Sequence, residues 1–334
     1  MKENMNNGKL SRIGGSMMDF KNGKVTIVGA GEIGSAAAYG MLIRKSASDI
    51  VLANRNAEKA RVKAFDMSHC IPHIDGVSIK GGGLEESEDS QVLVLTVGVL
   101  PQKDGNRTDV LARNVKIYEE LVPYLAELSP NAVMVAVTNP VDIMAMAACS
   151  FSGFPLERVI GTGTLLDTLR FRSFIGGAIG VSPWEVEAFV VGEHGESMVP
   201  VWSNVRVSGM ELKKYVEEKG IFWDTSIEEE IIHKTRRAGW YIRLGNEHSR
   251  YAIAFSISLI VEAILEAKDK LLPVSVNQNG DYGLDGSFMS LPSKLGQNGV
   301  VETVTIGLLP EERDKLFRSS EIIMGNANAI KEYL

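Results

Sequence analysis

Cysteine is scarce: only Cys70 and Cys149 occur in 334 residues. That excludes a disulfide framework and a cysteine-based metal site, and makes a reducing cytoplasm the default compartment. Long hydrophobic runs are missing too. No stretch reaches the roughly 18 apolar residues of a membrane span. The first 23 residues, MKENMNNGKLSRIGGSMMDFKNG, lack the apolar centre of a secretory signal. Positive charge is in deficit, with a formal net charge of −7, which speaks against nucleic acid or an anionic membrane surface as partner. Internal repeats are absent. The polar, Gly/Asn-rich opening reads as a flexible arm over residues 1–23. It either packs on a partner subunit or stays unstructured ahead of a later start at Met17 or Met18.

What is present is ordinary globular material: 45% apolar and 23% charged residues, in a chain long enough for two domains. Short β-branched runs recur at 25–29, 49–54, 92–98, 133–139 and 159–163. Several are apolar at consecutive positions, as strands buried on both faces are. Helical patterns lie between some of them, at 32–45, 56–68 and 108–128. Strand alternating with helix predicts a doubly wound parallel sheet. The alternation fades after residue 160, where amphipathic stretches at 165–180, 226–244 and 251–268 follow. The predicted boundary therefore falls there, with one domain over 24–160 and a second over 161–334.

The first strand runs into GAGEIG, residues 29–34. In this G-x-G-x-x-G, Gly29 permits the turn, Gly31 lets backbone approach a diphosphate, and Gly34 allows close helix–strand packing. Its position between a strand and a helix makes it a dinucleotide-binding signal rather than a structural turn. At the end of the second strand such chains usually carry an acid that accepts the ribose hydroxyls. Here the sequence reads Asn54-Arg55, with Lys59 beyond. Asn54 removes the repulsion of a 2′-phosphate, and Arg55 offers it a fork of donors. The expected cofactor is NADP(H); NAD is the alternative if Arg55 is a solvated surface charge. The string is similar to the Asn-Arg-x-x-x-Lys segment with which shikimate-dehydrogenase-like proteins hold NADP.

Three segments carry further chemistry. His194 lies in VGEHGES, a Gly-flanked loop after an apolar run. Asp167 and Arg170 in GTGTLLDTLRFR are three apart on a helix and so share a face, either as a plain ion pair or as part of a site. Arg107 sits in LPQKDGNRTDVLARN, a polar loop after the 92–98 strand, where ligands bind and loops close. Together they suit reduction of a 2-keto acid. Arg170 would anchor the carboxylate and His194 would protonate the ketone oxygen. Asp167 would orient the imidazole, and Arg107 would polarise the carbonyl. Asn139, in TNP after the fourth strand, can bond the substrate oxygen and the nicotinamide side.

GAGEIG, TNPVDIM, GTGTLLDTLRFR and GEHGESMVPVWS, in this order, resemble the lactate/malate dehydrogenase family on its lactate-dehydrogenase side. The resemblance runs from about residue 24 to the C-terminus. It implies an N-terminal Rossmann domain followed by an α+β catalytic domain, and a homo-oligomer of two or four subunits. It implies the same roles for His194, Asp167, Arg170 and Arg107, and an L-2-hydroxy acid as the reduced product. It also implies cofactor contacts from Gly29, Gly31, Glu32, Ile33, Gly34, Gly98, Asn114, Thr138 and Asn139, alongside Asn54, Arg55 and Lys59.

The chain departs from that family at informative places. The position that separates lactate from malate enzymes is Pro101, or Gln102 with a one-residue slip. Neither supplies a cation for a second substrate carboxylate, although Lys103 is long enough to reach inward. The opposite wall is expected at Ser249, with Gly239 and Trp240 nearby, a pattern similar to the hydroxyisocaproate-dehydrogenase branch that takes bulkier side chains. These features favour a monocarboxylic 2-keto acid over oxaloacetate. Arg172 matches an arginine of the bisphosphate site in some bacterial lactate dehydrogenases, but Phe189 replaces its histidine. His69 and His73 flank Pro72 without the acids that would complete a metal site. His233 and His248 read as surface or pocket-rim residues, and residues 217–240 read as one charge-striped helix. Two other classes remain to be tested: NAD-dependent glycoside hydrolysis, which needs a metal, and a non-enzymatic cofactor-binding protein.

Overall fold

The computed structural model describes residues 23–99, 107–245, 247–266 and 270–328, with the backbone alone for 107–109. The expected N-terminal arm lies almost wholly outside these residues, as do Pro101, Gln102 and Lys103.

In the first half the elements are β1 (Lys24–Val28), α1 (Glu32–Arg44), β2 (Asp49–Ala53), α2 (Ala57–Ser68) and β3 (Ser78–Gly82). Next come β4 (Val92–Leu95), α3 (Arg107–Leu128), β5 (Val133–Ala136), α4 (Val141–Ser152) and β6 (Val159–Gly161). Apart from Lys24, Thr26 and Asp49, strands β1, β2, β4 and β5 are built from Val, Ile, Leu, Ala and Met with no exposed position, as a sheet covered on both faces requires. All pairings among β1–β6 are parallel, in the order β3-β2-β1-β4-β5-β6. One apolar core joins one face of the sheet to α1, through Ala37 and Met41, and to a later helix. The other core joins the opposite face to α3 and α4, through Val115, Tyr118 and Met144. The strand order reverses between β1 and β4, and the crevice at their carboxyl ends is where such a sheet receives a ligand.

The second half begins with α5 (Leu165–Ile179). Five two-residue strands follow: β7 (Val186–Glu187), β8 (Val190–Val191), β9 (Val199–Pro200), β10 (Arg206–Val207) and β11 (Met210–Glu211). Helices α6 (Leu212–Glu218), α7 (Thr225–Leu244) and α8 (Tyr251–Glu266) come next. Strands β12 (Leu271–Asn279), β13 (Asp285–Gly296) and β14 (Gly299–Thr303), then helix α9 (Pro310–Asn328), complete the described chain. The sheet does not stop at the expected boundary: β12, β13 and β14 continue it antiparallel from β6, giving nine strands. Helix α8 returns to the N-terminal half and packs on α1.

The charge-striped segment is not one helix. Helix α6 ends at Glu218, Gly220 turns with φ +64°, and Asp224 starts α7 by accepting from the N–H groups of Ser226 and Ile227. The break follows from the capping acid, whose oxygen satisfies the free amides of a new helix.

Candidate active site

The glycine turn is fixed by contacts that no other residue could make. Gly29 has φ +117°, a region that favours glycine. A Cβ on Gly34 would stand 1.9 Å from the Gly29 carbonyl oxygen, so α1 can approach β1 this closely only with glycine there. A Cβ on Gly31 would meet nothing within 4 Å, so the turn opens onto space in front of the α1 N-terminus. The amides of Glu32, Ile33 and their neighbours point that way, as the first donors of a helix do. The cradle suits a dinucleotide diphosphate.

At the end of β2, Asn54 Oδ1 accepts the Ala30 N–H at 3.2 Å, and its amide donates to the Asn56 carbonyl at 3.1 Å. Asn54 thus ties β2 to the glycine turn. Arg55 donates to Glu120 on α3 at 2.9 Å, with both side chains more than half exposed. Lys59 is exposed on the first turns of α2. One turn on, Lys63 donates to Ser35 Oγ at 2.9 Å, and burial followed by the Lys59 charge pushes its pKa down.

The next two strand ends are pinned by Asn114. It is buried on α3, accepts the Val99 N–H at 2.7 Å and donates to the Asn139 carbonyl at 3.1 Å. Thr138 donates to the Val97 carbonyl. A Cβ on Gly98 would clash with Thr138 at 2.5 Å. Asn139 keeps an exposed side chain at the mouth of the crevice.

Helix α5 supplies Asp167 and Arg170 from its first two turns. Asp167 is 1% exposed; its Oδ2 lies 2.5 Å from His194 Nδ1, and its Oδ1 lies 3.2 Å from Arg170 Nη1. The ion pair and the site are therefore one arrangement. Ser249 Oγ stands 3.5 Å from Arg170 Nη2, which brings the expected pocket wall to the expected anchor. Of the five histidines, His69, His73, His233 and His248 are exposed, whereas His194 keeps 22% of its side chain open. His69 stacks edge-on against Phe65. Arg107 begins α3, but its side chain falls outside the described residues, as do Pro101 and Gln102 altogether.

One residue that the motif reading passed over proves central. Asp142, 3% exposed in the first turn of α4, accepts the His194 backbone N–H at 2.9 Å. Its other oxygen completes no hydrogen bond with a described residue, although Ser275, whose buried hydroxyl is likewise unpaired, stands nearby. Burial lifts the Asp142 carboxyl to about 6 from 3.8, despite the Ser275 hydroxyl and the His194 N–H and charge. Burial pushes the His194 imidazolium down. The charge and hydrogen bond of Asp167, then the charge of Asp142, push it up against an opposing push from Arg170. The net pKa is raised above 6.5. A cleft acid with its pKa held up in this way can act as a proton donor near neutrality.

A dinucleotide cradle beside a paired histidine, aspartate and arginine invites comparison with known proteins. The family model described as "lactate/malate dehydrogenase, NAD binding domain" matches residues 23–161, and that of the "alpha/beta C-terminal domain" matches 164–332. The chain belongs to the lactate/malate dehydrogenase family. It is an oxidoreductase, a dehydrogenase built on a Rossmann domain and served by a nicotinamide dinucleotide. An L-lactate dehydrogenase of Clostridium perfringens is 33% identical over 93% of this chain and 98% of its own. One of Thermus aquaticus is 36% identical over 92% and 99%. Among solved structures, the minor L-lactate dehydrogenase of Enterococcus mundtii in ligand-bound form superimposes with a TM-score of 0.89 at 32% identity, covering 93% of this chain and 99% of that one.

In this family member Arg172 donates to the Val186 carbonyl beside Glu187. No described helix is long and apolar enough to cross a membrane.

Proposed function

We propose that this dehydrogenase reduces a monocarboxylic 2-keto acid to the L-2-hydroxy acid and prefers NADP(H) to NAD(H). The observation that carries the reaction type is the 2.5 Å contact between His194 Nδ1 and Asp167, with Arg170 one turn further along the same helix. The bound dinucleotide supplies the hydride that attacks the carbonyl carbon. His194 gives the ketone oxygen its proton from Nε2, the nitrogen facing away from Asp167. Asp167 fixes the ring and favours the imidazolium. Arg170 holds the substrate carboxylate, and Arg107, the first residue of α3, stabilises charge developing on oxygen. Asn139 holds substrate and nicotinamide in register.

Cofactor preference rests on Asn54, Arg55 and Lys59. An asparagine that caps the glycine turn presents no charge to a 2′-phosphate, and Arg55 need only leave an exposed partner, Glu120, to reach one. Preference for a bulkier acid finds support in the small Ser249 wall beside Arg170. A homo-oligomer is supported by exposed Tyr39, Ile43, Phe65 and Phe255 on α1, α2 and α8. The free thiols of Cys70 and Cys149 support a reducing, cytoplasmic setting.

Initial rates test the reading: NADPH and NADH, each against pyruvate, 2-ketoisocaproate, phenylpyruvate and oxaloacetate. NADPH with a monocarboxylic acid is the expected best pair. Preference for NADH would make Arg55 a surface charge. Preference for oxaloacetate would make the chain a malate enzyme, with Lys103 the first cation to mutate.

A further inference from the structure

Glu32 poses a problem of charge. It is the first residue of α1, beside the turn that receives a dinucleotide diphosphate. A carboxylate there is favoured by the helix N-terminus, yet it competes with the diphosphate for that same field and repels it. The Glu32 side chain is 57% exposed. The chain answers from 218 residues away. Arg250, just before α8, sets Nη1 3.0 Å from Glu32 Oε2 and donates through Nη2 to Glu247. Its guanidinium also lies over the Tyr251 ring, 5.2 Å from the centroid. Held on three sides, Arg250 is only 24% exposed. Lys63, which feels the Glu32 charge, flanks the same helical turn through Ser35.

We propose that Arg250 is a cofactor-affinity determinant: it cancels the Glu32 charge beside the glycine turn and presents a cation to the dinucleotide diphosphate. The inference rests on dinucleotide binding at Gly29–Gly34, which NADP and NAD share, and is independent of the choice between them. Arg250 also follows Ser249, so the pair fastens the expected substrate wall to the cofactor turn. An ion pair whose acid is 57% exposed adds little to stability. Its removal therefore leaves the fold standing and registers in binding.

The test is a titration of NADPH and NADH into wild type, Arg250→Met, Glu32→Gln and the double variant, at low and high salt. Arg250→Met should weaken both cofactors alike, by about tenfold. Glu32→Gln should tighten both. The double variant should recover most of the loss, and high salt should shrink every difference. Unchanged cofactor affinity in Arg250→Met, with only the keto-acid KM altered, overturns the proposal. So does a double variant that binds as poorly as Arg250→Met alone. If Arg250→Met fails to fold, Glu32→Gln decides: tighter binding supports the proposal and unchanged or weaker binding refutes it. A chain that turns out to prefer NADH is tested equally well with NADH, so failure of the NADP reading and failure of this one remain distinct.

Discussion

Replacing Asp142 with Asn should make the protein more stable and the reaction worse. Asp142 is buried with its carboxyl lifted to about 6 from 3.8. A carboxyl that binds its proton more tightly in the folded chain loses stabilisation as pH rises from the unfolded value through the folded one. A rise of about two units corresponds to roughly 3 kcal/mol, present as a penalty above pH 6 and absent below pH 4. Asparagine keeps an oxygen for the His194 N–H and offers an amide to the unpaired Ser275 hydroxyl. The raised pKa of His194 acts in the same direction. It stabilises the fold at low pH, and that contribution is lost as pH climbs through the folded value. The variant keeps less of it to lose. Urea unfolding at fixed protein concentration, from pH 4 to pH 8, should therefore show the variant gaining on wild type by up to about 3 kcal/mol. In keto-acid reduction the alkaline limb should move to lower pH, because one of the charges sustaining the imidazolium is gone. Parallel stability curves for the two proteins would refute the argument, and an unmoved alkaline limb would remove Asp142 from the electrostatics of His194.

His194→Asn should lower kcat for reduction about a hundred- to ten-thousandfold while cofactor titrations stay unchanged; a fully active variant would end the proposed mechanism. Arg55→Ser should lower kcat/KM with NADPH about tenfold and leave NADH nearly untouched, so an equal loss with both cofactors would deny Arg55 a 2′-phosphate role. Gly34→Ala should destabilise the protein by roughly 3 kcal/mol or more and weaken both cofactors, because its Cβ would stand 1.9 Å from the Gly29 carbonyl oxygen; a wild-type melting curve would show that the turn yields.

The parts of this protein legible in its sequence are those whose signal is local. Strands β1, β2, β4 and β5 are short apolar runs next to glycine or helix, and the glycine turn is a pattern of six residues. Asp167 and Arg170 are three apart on one helix, so their shared face follows from helical geometry. Strand β3, SIKGG, has two glycines and a half-exposed pattern, which hides it. Strands β12 and β13 bury Ser275, Gln278, Ser290 and Ser293, and such hydroxyl-rich strands do not read as apolar runs. Asp142 was visible as a letter in TNPVDIM, but its role arises from a contact 52 residues away. The Glu32–Arg250 pair spans 218 residues and leaves no pattern in either neighbourhood.

With Arg170 as the proposed carboxylate anchor, the charges around His194 should couple substrate binding to protonation. Asp167 and Asp142 lift the imidazole pKa, and Arg170 lowers it from 3.2 Å beyond the shared Asp167. A keto-acid carboxylate seated on Arg170 cancels that opposing charge in a cleft where charges are poorly screened. The His194 pKa should then rise further, so that the substrate draws in the proton its own reduction consumes. Binding of a non-reducible 2-keto-acid mimic to the cofactor complex should therefore take up protons on the alkaline side of neutrality. Calorimetry in two buffers of different ionisation enthalpy measures that uptake. Arg170→Met should bind the mimic weakly and take up fewer protons for each molecule bound, because no guanidinium charge remains to be cancelled. Binding without uptake at any pH would mean that the bound carboxylate leaves the His194 pKa unchanged. The Arg170 charge would then set substrate affinity but not the proton.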